Sequence, residues 1–198
     1  MEERMDRDLG TFDDLYRRTH ITAKSRFNAS KRLADHNHVA LVTITLMSLG
    51  LIAIPLIEVF ELGNHFENKY VDFFQLFLAI VVLVISVAIN SANFGRRSEK
   101  LHDCGLELSN LARKIYGFVK DEGTKEIYND LANAYFEILN RYENHKSIDF
   151  RITQIDFPDQ YAVNLWTQAM TWVLYKLDFS SYALLVLIEF LWIYNMIC

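Results

Sequence analysis

The chain has 198 residues, of which 52% are hydrophobic, and its formal net charge is −5. The charges are segregated along the chain, so their local distribution says more about partners than the net value does. Two cysteines exclude a disulfide framework. The chain has only two prolines and seven glycines, the residues that most often form the turns between strands. The predicted fold class is therefore all-α.

Residues 1–38 are predicted to form a cytoplasmic amphipathic helix, because apolar residues recur at spacings of three, four and seven. No acid occurs between Asp14 and Asp35, whereas six basic residues do, and the last two, Lys31 and Arg32, adjoin an apolar run. Such a flank sets topology and contacts lipid headgroups. A nucleic-acid surface would need interleaved aromatics and an overall basic charge, so no direct nucleic-acid binding is expected.

Residues 39–93 are predicted to form a two-helix transmembrane hairpin. The runs Val39–Phe60 and Val71–Ile89 are each long enough to cross a bilayer as a helix, which takes roughly 20 residues. The acidic connection Glu61–Asp72 is expected outside, and Arg96 and Arg97 restore the basic inner flank. With no cleavable signal peptide visible, we expect a multi-pass membrane protein with a cytoplasmic N-terminus.

Polar residues inside the two runs have two interpretations. Ser86, Asn90 and Asn93 fall close to one face of the second helix, and Glu58 lies near the outer end of the first. Small and weakly polar residues commonly serve helix packing, and the first run carries such a stripe at Ala40, Thr43, Met47, Gly50 and Ile57. Alternatively, the four polar residues line a water-facing path in an oligomer.

Residues 94–150 are predicted to form a cytoplasmic helical hairpin. Leu101, Leu108, Leu111/Ala112 and Ile115 follow a seven-residue repeat typical of a coiled coil. A break at residues 121–124 precedes a second amphipathic helix, which we expect to pack antiparallel to the first. Residues 143–158 are predicted to form a loop, and a helix is expected to resume over 159–175.

Residues 151–198 complete the chain with C-terminal helices. Residues 179–198 are apolar apart from Glu189 and Asn195, which favours a third membrane-embedded helix. The alternative is a helix lying at the interface, with Trp192 and Tyr194 among the headgroups.

No specific catalytic motif occurs in the sequence. The nearest candidates are His102, Cys104 and His145. On a helix, a His-x-Cys spacing places the two side chains about 200° apart, which is unsuited to one metal ion. We therefore expect no enzyme, no metal and no cofactor.

Four stretches resemble the SLATT family of bacterial two-transmembrane proteins, and together they span roughly residues 10–195. They are RFNASKRLADHNHVALVTITLMSLGLI, RRSEKLHDCGLELSNL, YNDLANAYFEILNRYENH and KSIDF. The chain is most similar to the subfamily that often accompanies reverse transcriptases.

The resemblance implies the membrane effector of an antiviral, abortive-infection system. A partner, either a sensor protein or a reverse transcriptase encoded nearby, would trigger an oligomer that perforates or depolarises the inner membrane. The resemblance supplies no catalytic residues. Two alternatives stay open at this point: a non-conducting membrane anchor or scaffold for a cytoplasmic partner, and a membrane-bound enzyme that uses His102, Cys104 or His145.

Overall fold

The computed structural model describes residues 11–60, 68–119 and 123–197. Those residues form seven helices and no strand, which confirms the all-α prediction. The helices are α1 (Phe12–Val59), α2 (Asn68–Ala92), α3 (Phe94–Tyr116), α4 (Lys125–Arg141), α5 (Ser147–Asp156), α6 (Leu165–Leu177) and α7 (Ser180–Ile197). Most of the predicted outside loop, half of the predicted break at 121–124, and Cys198 lie outside the described residues.

The chain divides into two compact units. The polar unit comprises the residues up to Leu33 together with Arg96–Thr171, and the apolar unit comprises Ala34–Gly95 together with Trp172–Cys198. Helix α1 contributes to both units, because the predicted polar helix and the first apolar run form one continuous helix of 48 residues.

The core of the polar unit lies between the first half of α1, α3 and α4. The repeat predicted in α3 is buried at Leu101, Leu108, Leu111/Ala112 and Ile115. Helices α3 and α4 are antiparallel, as predicted. Glu107 pairs with Arg141 at 2.5 Å near one end, while the ring of Phe12 lies 5.6 Å from the rings of both Phe118 and Tyr128 near the other.

Helix α5 corrects the prediction of a loop over residues 143–158. The Asp149 carboxylate accepts a hydrogen bond from the backbone N–H of Lys146 at 2.8 Å, which satisfies a donor at the start of the helix. Asp149, Ile152 and Thr153 are buried on one side of α5. The expected helix over 159–175 is present but begins later, at Leu165.

The core of the apolar unit includes Met47 and Ile54 of α1, Val71 and Leu78 of α2, and Met196 of α7. The small-residue stripe of α1 is buried at Ala40, Thr43, Met47 and Gly50, and half-buried at Ile57. This burial supports the helix-packing interpretation for α1, since small side chains let neighbouring helices approach closely.

Large apolar side chains cover the outside of the apolar unit. On α2, Phe73, Leu76 and Leu83 are each at least 64% exposed. Within the part of the chain that the structure describes, three helical stretches are long and apolar enough to cross a membrane. They are Phe12–Val59, Lys69–Tyr116, which runs through α2 and α3, and Ser180–Ile197. The third agrees with the expected membrane-embedded C-terminal helix by length and composition.

Candidate membrane-active site

The polar face of α2 lies on the outside of the apolar unit. Ser86 is half-buried, and Asn90 and Asn93 are exposed. Asn93 has a φ of 50° and separates α2 from α3. Asparagine tolerates this left-handed conformation better than most residues. Ser86 and Asn90 therefore lie on one edge of the last turns of α2, and Asn93 directly follows the end of that helix.

Glu58 is not brought to this polar face. It is half-buried in the last turn of α1, next to the connection that leads into α2. Asn90 lies in the last turn of α2, about 30 Å along that helix from its start. The structure thus separates the predicted pore-lining residues into two groups at opposite ends of α2.

The predicted basic flanks occupy different environments. Lys31 and Arg96 are exposed. Arg97 is partly exposed and donates to the Glu143 carboxylate at 3.0 Å. Arg32 differs from the expectation of a lipid contact, because its side chain is only 3% exposed and pairs with Asp149.

The Arg32–Asp149 pair belongs to a buried polar network that the sequence did not reveal. The guanidinium donates to both carboxylate oxygens, at 2.8 and 3.0 Å. One turn further along α5, the hydroxyl of Thr153 lies 3.0 Å from Ser25 and from Asn28 of α1. These contacts fix α5 against α1 through polar groups, which explains why hydrophobic periodicity did not predict the helix.

A second buried polar group was also missed, at His36 in the apolar unit. Its ring stacks on Phe179 with the centroids 4.2 Å apart and on Phe94 at 5.4 Å. Its Nε2 lies 2.9 Å from Asp178 Oδ2, and its Nδ1 lies 3.5 Å from the hydroxyl of Tyr182. His36 therefore ties α1 to the residues that begin α3 and α7.

Glu189 is the most unusual polar residue of the apolar unit. It lies in the middle of α7, is 4% exposed, and its carboxylate contacts Gly50 of α1. Among the described residues, its Oε1 atom has no hydrogen-bond partner. A carboxyl group inside a membrane segment is costly and marks a functional candidate. The sequence showed the acid but could not show its contact with Gly50.

The residues considered for catalysis are not assembled into a site. His102 is exposed and Cys104 is fully buried, so α3 places them on different sides, as its period predicts. Burial, assisted by the charge of Arg26, lowers the pKa of His145 below its usual value. The described part of the chain contains no group of three or more His, Cys, Asp or Glu side chains that could hold a metal ion.

The Cys104 thiol is expected to be nearly inert in the folded protein. Burial raises its pKa, so little reactive thiolate forms near neutral pH. In a Cys198→Ser variant, Ellman's reagent should titrate Cys104 only slowly at pH 8 and completely in denaturant. Rapid, complete reaction without denaturant would contradict the burial of this thiol.

Tyr142 is expected to titrate late. Its hydroxyl donates to Glu107 Oε1 at 2.7 Å, and this hydrogen bond, followed by burial, raises the pKa of Tyr142 from 10 to about 12. The folded-state pKa is raised, so the stabilisation is present below pH 10 and is lost as the pH rises through about 12. Glu107→Gln should lower that pKa, measured as phenolate absorbance relative to a matched Tyr142→Phe protein. Equal titration midpoints in the parent and in the Glu107→Gln protein would be inconsistent with this assignment.

The described residues are helical without strands and include three stretches long and apolar enough to cross a membrane, whose side chains largely face outward. These features define an integral membrane protein. The chain belongs to the SLATT family, since residues 10–195 match the SMODS and SLOG-associating 2TM effector domain family 5. That match confirms the resemblance noted in the sequence, while the link to reverse transcriptases stays a prediction. No curated protein sequence and no solved structure matched the chain. The family name specifies two transmembrane helices, and α7 is a third by length and composition.

Proposed function

We propose that this chain is the membrane effector of a bacterial antiviral system. When a partner triggers it, several copies assemble or rearrange in the inner membrane and open a path that abolishes the membrane potential. Membership of a family of 2TM effector domains supports the effector role. Pore formation is the further step, and it requires an oligomer because so few helices cannot enclose a channel alone.

The observation that carries the proposal is the polar edge of α2. Ser86 and Asn90 lie on one side of α2, and Asn93 directly follows its last residue. Between Phe73 and Ala88 the exposed residues of this helix are all apolar. Hydrocarbon offers these side chains no hydrogen bonds, so facing another copy or a water-filled path is favoured over facing lipid. A ring of copies that turned this edge inward would line such a path with hydroxyl and amide groups.

The basic flanks support a cytoplasmic position for the polar unit. Lys31 and Arg96 are exposed beside the first two apolar runs, and an excess of such residues marks the inner side of a membrane. The polar unit would then face a cytoplasmic sensor or reverse transcriptase. To open the path, that partner must bind the open state more tightly than the closed state.

The experiment compares two leucine substitutions on α2 at positions about 120° apart around the helix. Asn90→Leu removes the polar edge, whereas Val84→Leu enlarges an outward apolar side chain that is 60% exposed. Cells that express each variant with the native neighbouring genes are infected, and a potential-sensitive dye is followed. Asn90→Leu should keep the potential intact at normal membrane levels of the protein, and Val84→Leu should depolarise like the parent. An unchanged potential with the triggered parent would refute the proposal.

A second experiment distinguishes a conducting effector from a non-conducting anchor or scaffold. Residues 39–93 are replaced by an unrelated transmembrane hairpin of equal length. A conducting effector loses protection of the culture against infection, because the polar edge of α2 is gone. A protein that only holds a partner at the membrane retains protection, and that outcome would contradict pore formation.

A further inference from the structure

Helix α6 has the polarity of its faces reversed relative to a helix of a water-soluble domain. Leu165 and Trp166 are 82% and 78% exposed, and Val173 and Leu177 are 52% and 58% exposed. Thr171, in contrast, is 1% exposed. A surface helix in water turns its apolar residues inward and its polar residues outward. Water is therefore an unfavourable surrounding for the exposed apolar side of α6.

Four of the exposed apolar residues form one continuous face. At 100° per residue, Trp166, Met170, Val173 and Leu177 fall within an arc of about 60°. The opposite side carries Thr171, whose hydroxyl donates to the carbonyl of Thr167 at 2.8 Å. Two polar side chains beside Thr171 also form hydrogen bonds within the protein. Gln168 Nε2 donates to the Val163 carbonyl at 3.0 Å, and the Tyr175 hydroxyl donates to Asp35 Oδ2 at 2.9 Å.

The length of α6 and its position in the chain identify what covers this face. Its 13 residues extend about 20 Å, which is too short to cross a hydrocarbon core of about 30 Å. Only Asp178 and Phe179 separate it from α7, a helix long and apolar enough to cross a membrane. The apolar face of α6 is thus continuous in sequence with a membrane segment.

The composition of α6 fits the boundary between headgroups and acyl chains. Trp166 and Trp172 are exposed, and tryptophan is enriched at that depth because its ring is apolar and its N–H is polar. The single charged residue of α6 is Lys176, which is exposed at the end that leads into α7. A lysine there can reach anionic headgroups while its stem stays among apolar groups.

We propose that α6 is an in-plane membrane helix, whose face of Trp166, Met170, Val173 and Leu177 lies in the lipid at the level of the upper acyl chains. Helices of this type bury one apolar face about 5–10 Å into the boundary of headgroups and acyl chains. The helix would fix the depth and the direction at which the chain enters α7. This position does not depend on whether the protein conducts ions.

Tryptophan fluorescence in the full-length protein tests the position of α6. The chain has three tryptophans, so the pair Trp172→Phe and Trp192→Phe leaves Trp166 as the only one. The protein is reconstituted into vesicles whose lipids carry bromine at acyl carbons 6,7 or 11,12. Trp166 should lose most of its emission to the shallow bromines, less to the deep ones, and little to aqueous acrylamide. A protein that retains only Trp192, within α7, serves as the control for a tryptophan deeper in the bilayer.

Two results would overturn the proposal. Strong quenching of Trp166 by acrylamide, without quenching by brominated lipid, would place α6 in water. Protection from both quenchers would place a second copy or another protein on this face. If the phenylalanine replacements disturb folding, a nitroxide spin label is attached to Met170→Cys in the Cys198→Ser background. A label in the lipid should have its spectrum broadened more by oxygen, which dissolves in lipid, than by a water-soluble nickel complex. The reverse order would place Met170 in water.

Discussion

Asp149→Ala should lower the free energy of unfolding of the polar unit by about 3–5 kcal/mol. The substitution removes the carboxylate that accepts two hydrogen bonds from the guanidinium of Arg32, a side chain that is only 3% exposed. Removing one partner of a buried ion pair destabilises a protein strongly, because the remaining charge stays desolvated. Replacing both partners by apolar residues of similar volume has a much smaller effect on stability. The same change removes the acceptor for the backbone N–H of Lys146 at the start of α5.

Hydrogen exchange of the full-length protein in detergent measures this effect where it arises. The amides of α5 should exchange far faster in the Asp149→Ala protein, because α5 is held to α1 through this pair and through Thr153. Arg17→Ala is the matched control. It breaks the ion pair of Arg17 with Asp14, whose side chains are 53% and 23% exposed, and should cost no more than about 1 kcal/mol.

Two further variants separate charge from shape. Asp149→Asn keeps the volume but removes the charge, and should still destabilise the unit strongly. The double variant Arg32→Met with Asp149→Leu removes both charges and should recover much of the loss, since apolar replacements of buried pairs are often tolerated. If Asp149→Ala and Arg17→Ala lowered the free energy of unfolding equally, the buried pair would contribute no more to stability than the exposed one.

Hydrophobic patterning was sufficient to predict most of the helices. The apolar runs that became α2 and the second half of α1 are too long for any other structure to satisfy their backbone in lipid. The repeat from Leu101 to Ile115 placed one face of α3 in a core, and that face is buried. In both cases the signal lies within one element, so it can be read without knowledge of its partners.

Contacts between distant residues were not predictable from the same patterns. Arg32 and Asp149 are separated by 117 positions. In the sequence, Arg32 has the same appearance as the exposed Lys31, and charge counting treats the two alike. Helix α5 was missed for a related reason, because Asp149 and Thr153 hold it through polar contacts that leave no apolar period. His36 and Glu189 belong to the same class, since their significance depends on Phe179 and Gly50.

Gly50→Ala is expected to destabilise the apolar unit, although glycine-to-alanine changes inside helices usually stabilise. Alanine in a helix interior is favoured over glycine by roughly 0.5–1 kcal/mol. At Gly50, however, an added Cβ would overlap the carboxylate of Glu189, which is buried in α7. Forcing such a contact apart costs about 1–3 kcal/mol, so the steric term exceeds the propensity gain.

Glu189→Ala should reverse the sign of that effect. With the carboxylate removed, Gly50→Ala has room for its methyl group and should stabilise by about the usual 0.5–1 kcal/mol. The two substitutions should therefore be coupled, with an interaction energy in the range of about 0.5–3 kcal/mol found for residues in contact. Thermal unfolding of the four proteins in one detergent, followed by circular dichroism, provides the cycle.

Gly95→Ala controls for propensity alone. Gly95 belongs to the apolar unit, and its added Cβ would meet Asn37 at no less than 3.6 Å, an ordinary contact. This variant should be as stable as the parent or slightly more stable, whether residue 189 is Glu or Ala. If Gly50→Ala behaves like Gly95→Ala in both backgrounds, Glu189 is not packed closely against Gly50. If the sign reverses as expected, the carboxyl of Glu189 lies in close contact with Gly50, and residue 50 must be glycine for α7 to keep its present distance from α1.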